Sequence, residues 1–271
     1  MKKTILLALL LFPILLFSIT SQDRYFKAKL SSNNKLDSVR FRIRNPMIGD
    51  ERYSNQRNLE ESYITHITAR NEHGLLLDIS TSSYLREYPI IEYQLRKSDQ
   101  SKPITYTITD NSGHKKSYAV DFKQNKITKQ KVSSLEKPFI DYRKLKSKLW
   151  SKLSVEEAIS ELYGVVKDPI EGRISLTGPE ETFCEQRIPV NISSEIDLES
   201  VAIFTDKTEK PTLAVFSISE GNIINYKIYI KIYHTCTDYT IYVIGKDRNG
   251  QYYKESSKGW IACGDSCGGG G

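Results

Sequence analysis

Alternation of apolar and polar residues is the main pattern of this chain from about residue 25 onwards. Residues 39–43 alternate in this way, and residues 224–232 repeat the pattern over a longer stretch. A period of two is typical of strands with one buried face. Turn sequences that end in glycine separate several of the strands: 71–74, 110–113 and 246–250. The pattern therefore predicts strands throughout 25–122 and again throughout 173–261, in numbers typical of a sandwich in each region.

One segment between these two regions has helical spacing instead. Ser154 is followed three residues later by Glu157, which is the spacing of a capping box. Apolar residues then recur with a helical period as far as Leu162, and Gly164 provides a stop signal. The sequence predicts a short helix at this point.

The chain divides into segments by composition. We expect a β-sandwich over residues 23–123, a lysine-rich linker over 124–153, and a second sandwich with an N-terminal helix over 154–262. Residues 263–271 form a glycine-rich arm. The predicted fold class is all-β, with two immunoglobulin-like β-sandwich domains joined by a linker and a short helix.

The first 22 residues have the pattern of a secretory signal. Lys2 and Lys3 precede an apolar run over 5–17, and small or polar residues follow. The run is short for a membrane span, although a retained single N-terminal anchor is the alternative. The pattern contains no twin arginine, which favours a Sec-type signal and a periplasmic location, where disulfides can form.

Composition and charge exclude several classes of function. The chain has 271 residues, 39% of them hydrophobic, and its net charge of +6 is scattered among acidic residues, so we expect no nucleic-acid partner. Arg40, Arg42 and Arg44 form a basic stripe on one strand, which we interpret as a solvated face, with a docking surface for an acidic partner as the alternative. The four histidines have no metal-ligand spacing, and no catalytic set of side chains stands out. We therefore predict no catalytic residue, no metal and no cofactor.

Two cysteines lie in the glycine-rich arm. Cys263 and Cys267 are accompanied by the glycines of the segment, which are Gly264, Gly268, Gly269, Gly270 and Gly271. Glycine has no Cβ and has the greatest backbone freedom, so we expect Cys267 on a mobile, exposed arm that can enter a narrow cleft. The simpler interpretation is a frayed tail in which Cys263 and Cys267 form a disulfide. If Cys267 instead works on a carrier arm, Cys263 is a candidate redox guard or resolving thiol that closes a small ring with it.

The other two cysteines lie just before predicted strands. Cys184 precedes the strand at Ile188, and Cys236 precedes the strand at Tyr239. If these are the second and sixth strands of an immunoglobulin-like sandwich, both cysteines enter from the same end. The sequence then allows a structural disulfide between Cys184 and Cys236. Such a bond requires that their Cα atoms lie about 5.5 Å apart.

Several short sequences together match a known family. In the C-terminal region these are Leu162-Tyr163-Gly164, Glu171-Gly172-Arg173-Ile174-Ser175-Leu176, Ile188-Pro189-Val190-Asn191-Ile192, Ile203-Phe204-Thr205-Asp206-Lys207 and, in the arm, Ser266-Cys267-Gly268-Gly269. In the N-terminal region they are Asn45-Pro46-Met47, Tyr88-Pro89-Ile90 and Thr107-Ile108-Thr109-Asp110-Asn111-Ser112-Gly113. On these matches, residues 156–267 resemble SoxY, the sulfur-carrier subunit of the thiosulfate-oxidising Sox system, whose tail is Gly-Gly-Cys-Gly-Gly, and residues 36–122 resemble its partner SoxZ. The chain thus resembles a SoxZ–SoxY fusion.

This resemblance implies a function and a set of partners. Cys267 would carry covalently bound sulfur intermediates, and the chain would be a substrate carrier rather than an enzyme. The implied partners are a SoxAX-type c-type cytochrome, a SoxB-type sulfate thiol hydrolase and, optionally, a SoxCD-type sulfur dehydrogenase, together with an intramolecular contact between the SoxZ-like and SoxY-like parts. The chain departs from the family pattern where Asp265 and Ser266 replace the two glycines before the cysteine, and where Cys263 is added.

Two other functions stay open on the sequence alone. One is a non-catalytic periplasmic binding or assembly module of two sandwiches, for which Cys267 would be dispensable. The other is a thiol–disulfide oxidoreductase that uses Cys263 and Cys267 together.

Overall fold

The structure, a computed structural model, describes residues 24–32, 36–49, 59–132, 140–182, 187–233 and 236–262. Its fold is all-β, as predicted, and its strands form two sheets that pack face to face. Within the described ranges, no helix is both long and apolar enough to cross a membrane.

The N-terminal half contributes eight strands. Their bounds are β1 Phe26–Ser32, β2 Leu36–Ile43, β3 Ile64–Asn71, β4 Gly74–Thr81, β5 Ile90–Arg96, β6 Ile104–Asp110, β7 Lys115–Asp121 and β8 Lys126–Gln130. The C-terminal half contributes nine more. These are β9 Ile170–Glu171, β10 Ile174–Thr177, β11 Glu181–Thr182, β12 Ile188–Ser194, β13 Leu198–Thr205, β14 Thr212–Ser217, β15 Ile224–Ile230, β16 Thr237–Asp247 and β17 Tyr252–Ile261.

The two halves share both sheets. The six-stranded sheet has the order β1-β2-β5-β15-β12-β10, and the eleven-stranded sheet has the order β11-β17-β16-β13-β14-β4-β3-β6-β7-β8, with β9 paired to β17. The halves meet where β15 pairs with β5, at Tyr226 opposite Tyr93, and where β14 pairs with β4. Each half covers a strand edge of the other, and the buried residues form a core that continues through both.

The turns and the helix follow local rules. Asn71 Oδ1 accepts hydrogen bonds from the backbone N–H groups of His73 and Gly74, and this closes the hairpin between β3 and β4. The predicted helix is confirmed over Val155–Tyr163, where the Ser154 hydroxyl accepts from the Glu157 N–H at 3.2 Å. Gly164 ends the helix with φ of 73°, a conformation that suits glycine.

The segment interpreted as a linker carries structure of its own. Strand β8 pairs with β7 at the edge of the eleven-stranded sheet, and a helical turn Tyr142–Leu145 leads into a 3₁₀ helix Ser147–Ser151. Leu149 and Trp150 are buried in a second cluster with helix residues such as Ala158 and with Phe204 of β13. The segment 140–151 is therefore packed against the sheet, and its high lysine content reflects only its exposed side.

Candidate functional site

Most of the side chains predicted to carry the function lie outside the described residues. These are Cys184, Cys263, Gly264, Cys267, Gly268, Gly269, Gly270 and Gly271. The structure does describe Cys236 and the strand that precedes the arm, so the candidate site is built from its base. We call this base the stem, defined as strand β17 and Ala262.

The stem is held from both sides. Strand β17 runs antiparallel to β16, with Thr237 opposite Ile261, and parallel to β11, with Thr182 opposite Ile261. The backbone N–H of Ala262 donates to the Thr182 carbonyl at 2.9 Å, and Ile261 is fully buried. The chain is thus fixed in the sheet as far as Ala262, five residues before Cys267.

A tyrosine braces the stem from the neighbouring strand. Tyr239 lies opposite Gly259, and a Cβ placed on Gly259 would come within 2.4 Å of the Tyr239 ring. The Tyr239 hydroxyl donates to the Pro179 carbonyl at 2.9 Å, and burial raises the pKa of Tyr239 to about 12. Only glycine at position 259 leaves room for the Tyr239 ring. With the ring in this place, the hydrogen bond from Tyr239 to Pro179 holds the segment before β11 against the stem.

Cys236 is in a disulfide. Its partner lies outside the described residues, because the other three cysteines of the chain do so. Residues close in sequence to three of the cysteines nevertheless lie side by side in the sheet. Thr182 and Thr237 both pair with Ile261, which lies two residues before Cys263. Cys184 follows Thr182 by two residues, and Cys236 immediately precedes Thr237. The Cys184–Cys236 bond stays a prediction.

The histidines occupy separate places. His66 Nε2 lies 2.7 Å from Asp78 Oδ1 inside the protein, and burial raises the pKa of Asp78 despite the nearby imidazole. His73 and His114 lie in exposed hairpin turns, and His234 falls outside the described residues. Within the described ranges, no group of three or more candidate ligands could hold a metal ion.

The sequence predicted the row of Arg40, Arg42 and Arg44 correctly, but it did not predict which cationic residues of other strands and turns lie beside them. Arg40 and Arg42 point outward from β2, and Arg44 follows the strand. Lysines of β1 lie beside them in register, and Arg86 approaches from the turn before β5. Sequence periodicity reveals each outward cation on its own strand, but strand pairing decides which of them cluster.

Comparisons with known proteins give a partial structural similarity and no match in sequence. No family model and no curated protein matches this chain. One solved structure that it resembles is the sulfur carrier protein SoxY from Chlorobium limicola f thiosulfatophilum, at 19% identity and a TM-score of 0.36. The match covers 42% of this chain and 96% of that one. At this level of similarity it says nothing about activity.

Proposed function

We propose that this chain is a periplasmic carrier that holds sulfur intermediates of thiosulfate oxidation covalently on Cys267 and presents them to separate enzymes. The observation that carries the proposal is the stem. The chain is fixed in the sheet up to Ala262, and the next nine residues are Cys263-Gly264-Asp265-Ser266-Cys267 and four glycines. A fixed base followed by a glycine-rich segment with a thiol is the composition that a carrier arm needs.

The length of the arm suits this role. Cys267 lies five residue steps beyond Ala262, which span at most about 17 Å at ~3.5 Å per residue. The four glycines after Cys267 have no side chains to collide with the walls of a narrow cleft, and the small Ser266 precedes the thiol. Because the stem is fixed, the arm starts from the same position for every partner enzyme. Less orientational freedom is then lost when a partner docks.

The chemistry begins with the Cys267 thiolate. It forms a bond to the outer sulfur of thiosulfate and gives cysteine S-thiosulfonate, while two electrons pass, one at a time, to c-type cytochrome haems that each accept one electron. Water then cleaves the bond between the sulfane sulfur and the sulfonate, which releases sulfate and protons and leaves a persulfide on Cys267. A sulfur dehydrogenase can then oxidise the outer sulfur of that persulfide to a sulfonate, with oxygen from water and six electrons passed to cytochrome acceptors, and a second hydrolysis releases sulfate and restores the Cys267 thiol. The carrier forms and breaks bonds only at Cys267 and supplies no catalytic group.

Activation of the thiol is assigned to the partners. An ordinary cysteine has a pKa near about 8.5, so only a small fraction is thiolate at neutral pH. Asp265, two residues away, disfavours a second negative charge. A cationic cleft in a partner enzyme would lower the pKa of Cys267 only while the arm is inserted. This arrangement protects the free carrier from unwanted oxidation.

The proposed location rests on the first residues of the chain. Lys2 and Lys3 before the apolar run 5–17 support a Sec-type export signal. N-terminal sequencing of the protein from a periplasmic extract tests this point, since a mature N-terminus near residue 23 is expected. Detection of the uncut N-terminus in the membrane fraction would instead indicate an anchor.

Intact-mass measurement tests the proposed function. The chain is purified without reductant from cells grown on thiosulfate, together with Cys267→Ser and the matched control Cys263→Ser. We expect sulfur adducts on the unaltered chain and on Cys263→Ser, and none on Cys267→Ser. Adducts that depend on Cys263 instead, or catalytic reduction of model disulfides that requires both cysteines, would contradict the proposal and favour a thiol–disulfide enzyme.

A further inference from the structure

A cluster of cationic side chains covers the outer face of the six-stranded sheet. Strands β1 and β2 lie side by side, with Lys27 opposite Arg42 and Lys29 opposite Arg40, and all four side chains point away from the core. We call this surface the basic face and define it by six residues: Lys27, Lys29, Arg40, Arg42, Arg44 and Arg86. Lys227 extends the row onto the C-terminal half, since it pairs with Glu92 of β5.

The basic face has little internal compensation. Arg40 Nε lies 3.6 Å from Glu92 Oε1, and among the described residues no other carboxylate pairs with the face. Arg86 lies over an aromatic ring instead of beside a carboxylate, with its guanidinium 5.7 Å from the centre of the Tyr229 ring. Burial together with the charges of Arg187, Arg42 and Arg40 lowers the pKa of Arg86. A surface that keeps like charges this close carries a positive potential that an acidic partner would relieve.

The basic face contains a recess of suitable size for an acidic side chain. A cavity of about 280 Å³ opens at the ends of β1 and β2. Its lining is Arg24, Tyr25, Lys27, Arg42, Arg44 and Tyr88. The Arg42 guanidinium lies over the Tyr88 ring at 5.4 Å from the centroid. Arginine and tyrosine are the residue types that most often carry the binding energy of protein interfaces.

The recess opens at the same end of the sandwich as the stem. Arg42, near the end of β2, pairs with Ile90 at the start of β5, and Ile91 pairs with Ile228 near the end of β15. The chain then crosses to the other sheet, where the first residue of β16, Thr237, lies opposite Ile261. A partner bound at the recess therefore lies at the same end of the sandwich as the point from which the chain continues towards Cys267.

We propose that the basic face is the docking surface for an acidic patch on the protein partners of this chain. The inference rests on the proposed function only in naming those partners as the enzymes that act on Cys267. From Lys29 to Lys227 the row spans four strands, with Glu92 as its one acidic member on β5, and its width is about 14 Å at ~4.8 Å per strand. That width fits within a standard protein footprint of about 800 Å² and exceeds what a small anion could touch.

A lipid surface fits less well. Membrane-surface proteins combine cations with exposed apolar side chains that enter the headgroup region. The exposed large apolar residues of the described ranges lie elsewhere, for example Leu145, Leu153 and Val165 beside the helix, and none belongs to the basic face. The face therefore has the charge of a docking surface without a membrane anchor.

The test uses paired charge reversals in the full chain. Arg42→Glu with Arg44→Glu alters the basic face, and Lys126→Glu with Lys129→Glu alters the exposed strand β8 by the same net charge. The probe is a fluorescent oligoglutamate peptide, titrated by anisotropy at low and high salt. We expect the Arg42/Arg44 variant to bind roughly tenfold more weakly than the unaltered chain and the Lys126/Lys129 variant to bind within about twofold of it.

Three outcomes would overturn the inference. Equal loss in both variants would show that only net charge matters. Unchanged binding by the Arg42/Arg44 variant would place the acidic probe elsewhere. Binding to phosphatidylglycerol vesicles, with none to the peptide, would assign the face to a membrane. Circular dichroism of both variants establishes that they are folded.

A second measurement separates this inference from the proposed function. Sulfur loading of Cys267 by the purified partner cytochrome is followed by intact mass for the same variants. If the inference holds, the Arg42/Arg44 variant loads more slowly at low salt and reaches the same final extent. Equal loading rates would overturn the docking role. A chain that takes up no sulfur in any variant would overturn the proposed function, while the peptide titration would still decide the nature of the face.

Discussion

Tyr239 lies directly opposite Gly259 at the base of the arm, and its ring occupies the space that any Cβ at Gly259 would need. We expect Gly259→Ala to displace the ring and to lower the free energy of unfolding by about 1–3 kcal/mol. Urea denaturation measures the change. Lys258→Ala, at an exposed position of the same strand, is the matched control and should stay within about 0.5 kcal/mol. Equal effects of the two substitutions would contradict a stabilising contact between the Tyr239 ring and Gly259.

The same tyrosine can be changed without creating a clash. Tyr239→Phe keeps the ring over Gly259 and removes the hydrogen bond to the Pro179 carbonyl. We expect a loss of about 1 kcal/mol in the free energy of unfolding. Hydrogen exchange should then increase at Ala262, whose N–H is bonded to Thr182 in the segment that Tyr239 secures. Unchanged exchange at Ala262 would show that the stem does not depend on this contact.

The buried tyrosines predict loss of stability in alkali. Burial raises the pKa of Tyr239 to about 12, and burial also raises the pKa of Tyr93, Tyr106 and Tyr226 above the ordinary value. Since the folded pKa exceeds the unfolded value near about 10, their contribution to stability is complete below pH ~10 and falls as the pH rises further. Phenolate absorbance and near-ultraviolet circular dichroism should change together. Full ionisation of the tyrosines in a folded chain would contradict this account.

The segment 140–151 joins the two halves through Arg143. Its guanidinium donates two hydrogen bonds to the Thr81 carbonyl, at 2.8 and 2.6 Å, and lies 3.9 Å from the centre of the Trp150 ring. We expect Arg143→Ala to cost about 2–3 kcal/mol, because the buried carbonyl loses its partner and the ring loses its cation. Lys144→Ala is the exposed control. Thermal denaturation of the two variants compares them, and equal midpoints would argue against a structural role of the segment.

The disulfide of Cys236 tests whether the arm thiol is available. The account expects Cys184 as its partner, since Cys267 has to stay free for sulfur transfer. Peptide mapping without reduction identifies the bond. We also expect Cys236→Ser to lower the free energy of unfolding by about 2–4 kcal/mol. A bond between Cys236 and Cys267 would contradict the proposed carrier.

Much of the secondary structure could be predicted from local patterns. Strand β15 was predicted from its strict alternation, and the helix was predicted from Ser154 and Gly164. Strand β8 was missed because Lys126–Gln130 is largely exposed and shows no clear alternation. Periodicity shows which residues of a strand lie on its buried face and which on its exposed face. It does not show which other strand pairs with it.

Pairing between the halves was out of reach for the same reason. Strand β5 joins β15, and β4 joins β14, across more than a hundred residues of sequence. No local signal specifies such contacts. Only the extension of the basic face to Lys227 depends on them, because Lys227 meets Glu92 through this pairing. The arm was predicted from composition and resemblance and stays a prediction, since Cys263 and Cys267 lie outside the described residues.

A pulse and chase with isotopically labelled thiosulfate tests the central claim most directly. The chain is loaded by its partner enzymes with labelled thiosulfate, an excess of unlabelled thiosulfate is added, and the C-terminal peptide is followed by mass spectrometry. We predict that label in the sulfonate sulfur appears on Cys267 and then leaves as sulfate at the rate of overall turnover. Label that never enters the Cys267 peptide, or that enters and stays while turnover continues, would contradict it.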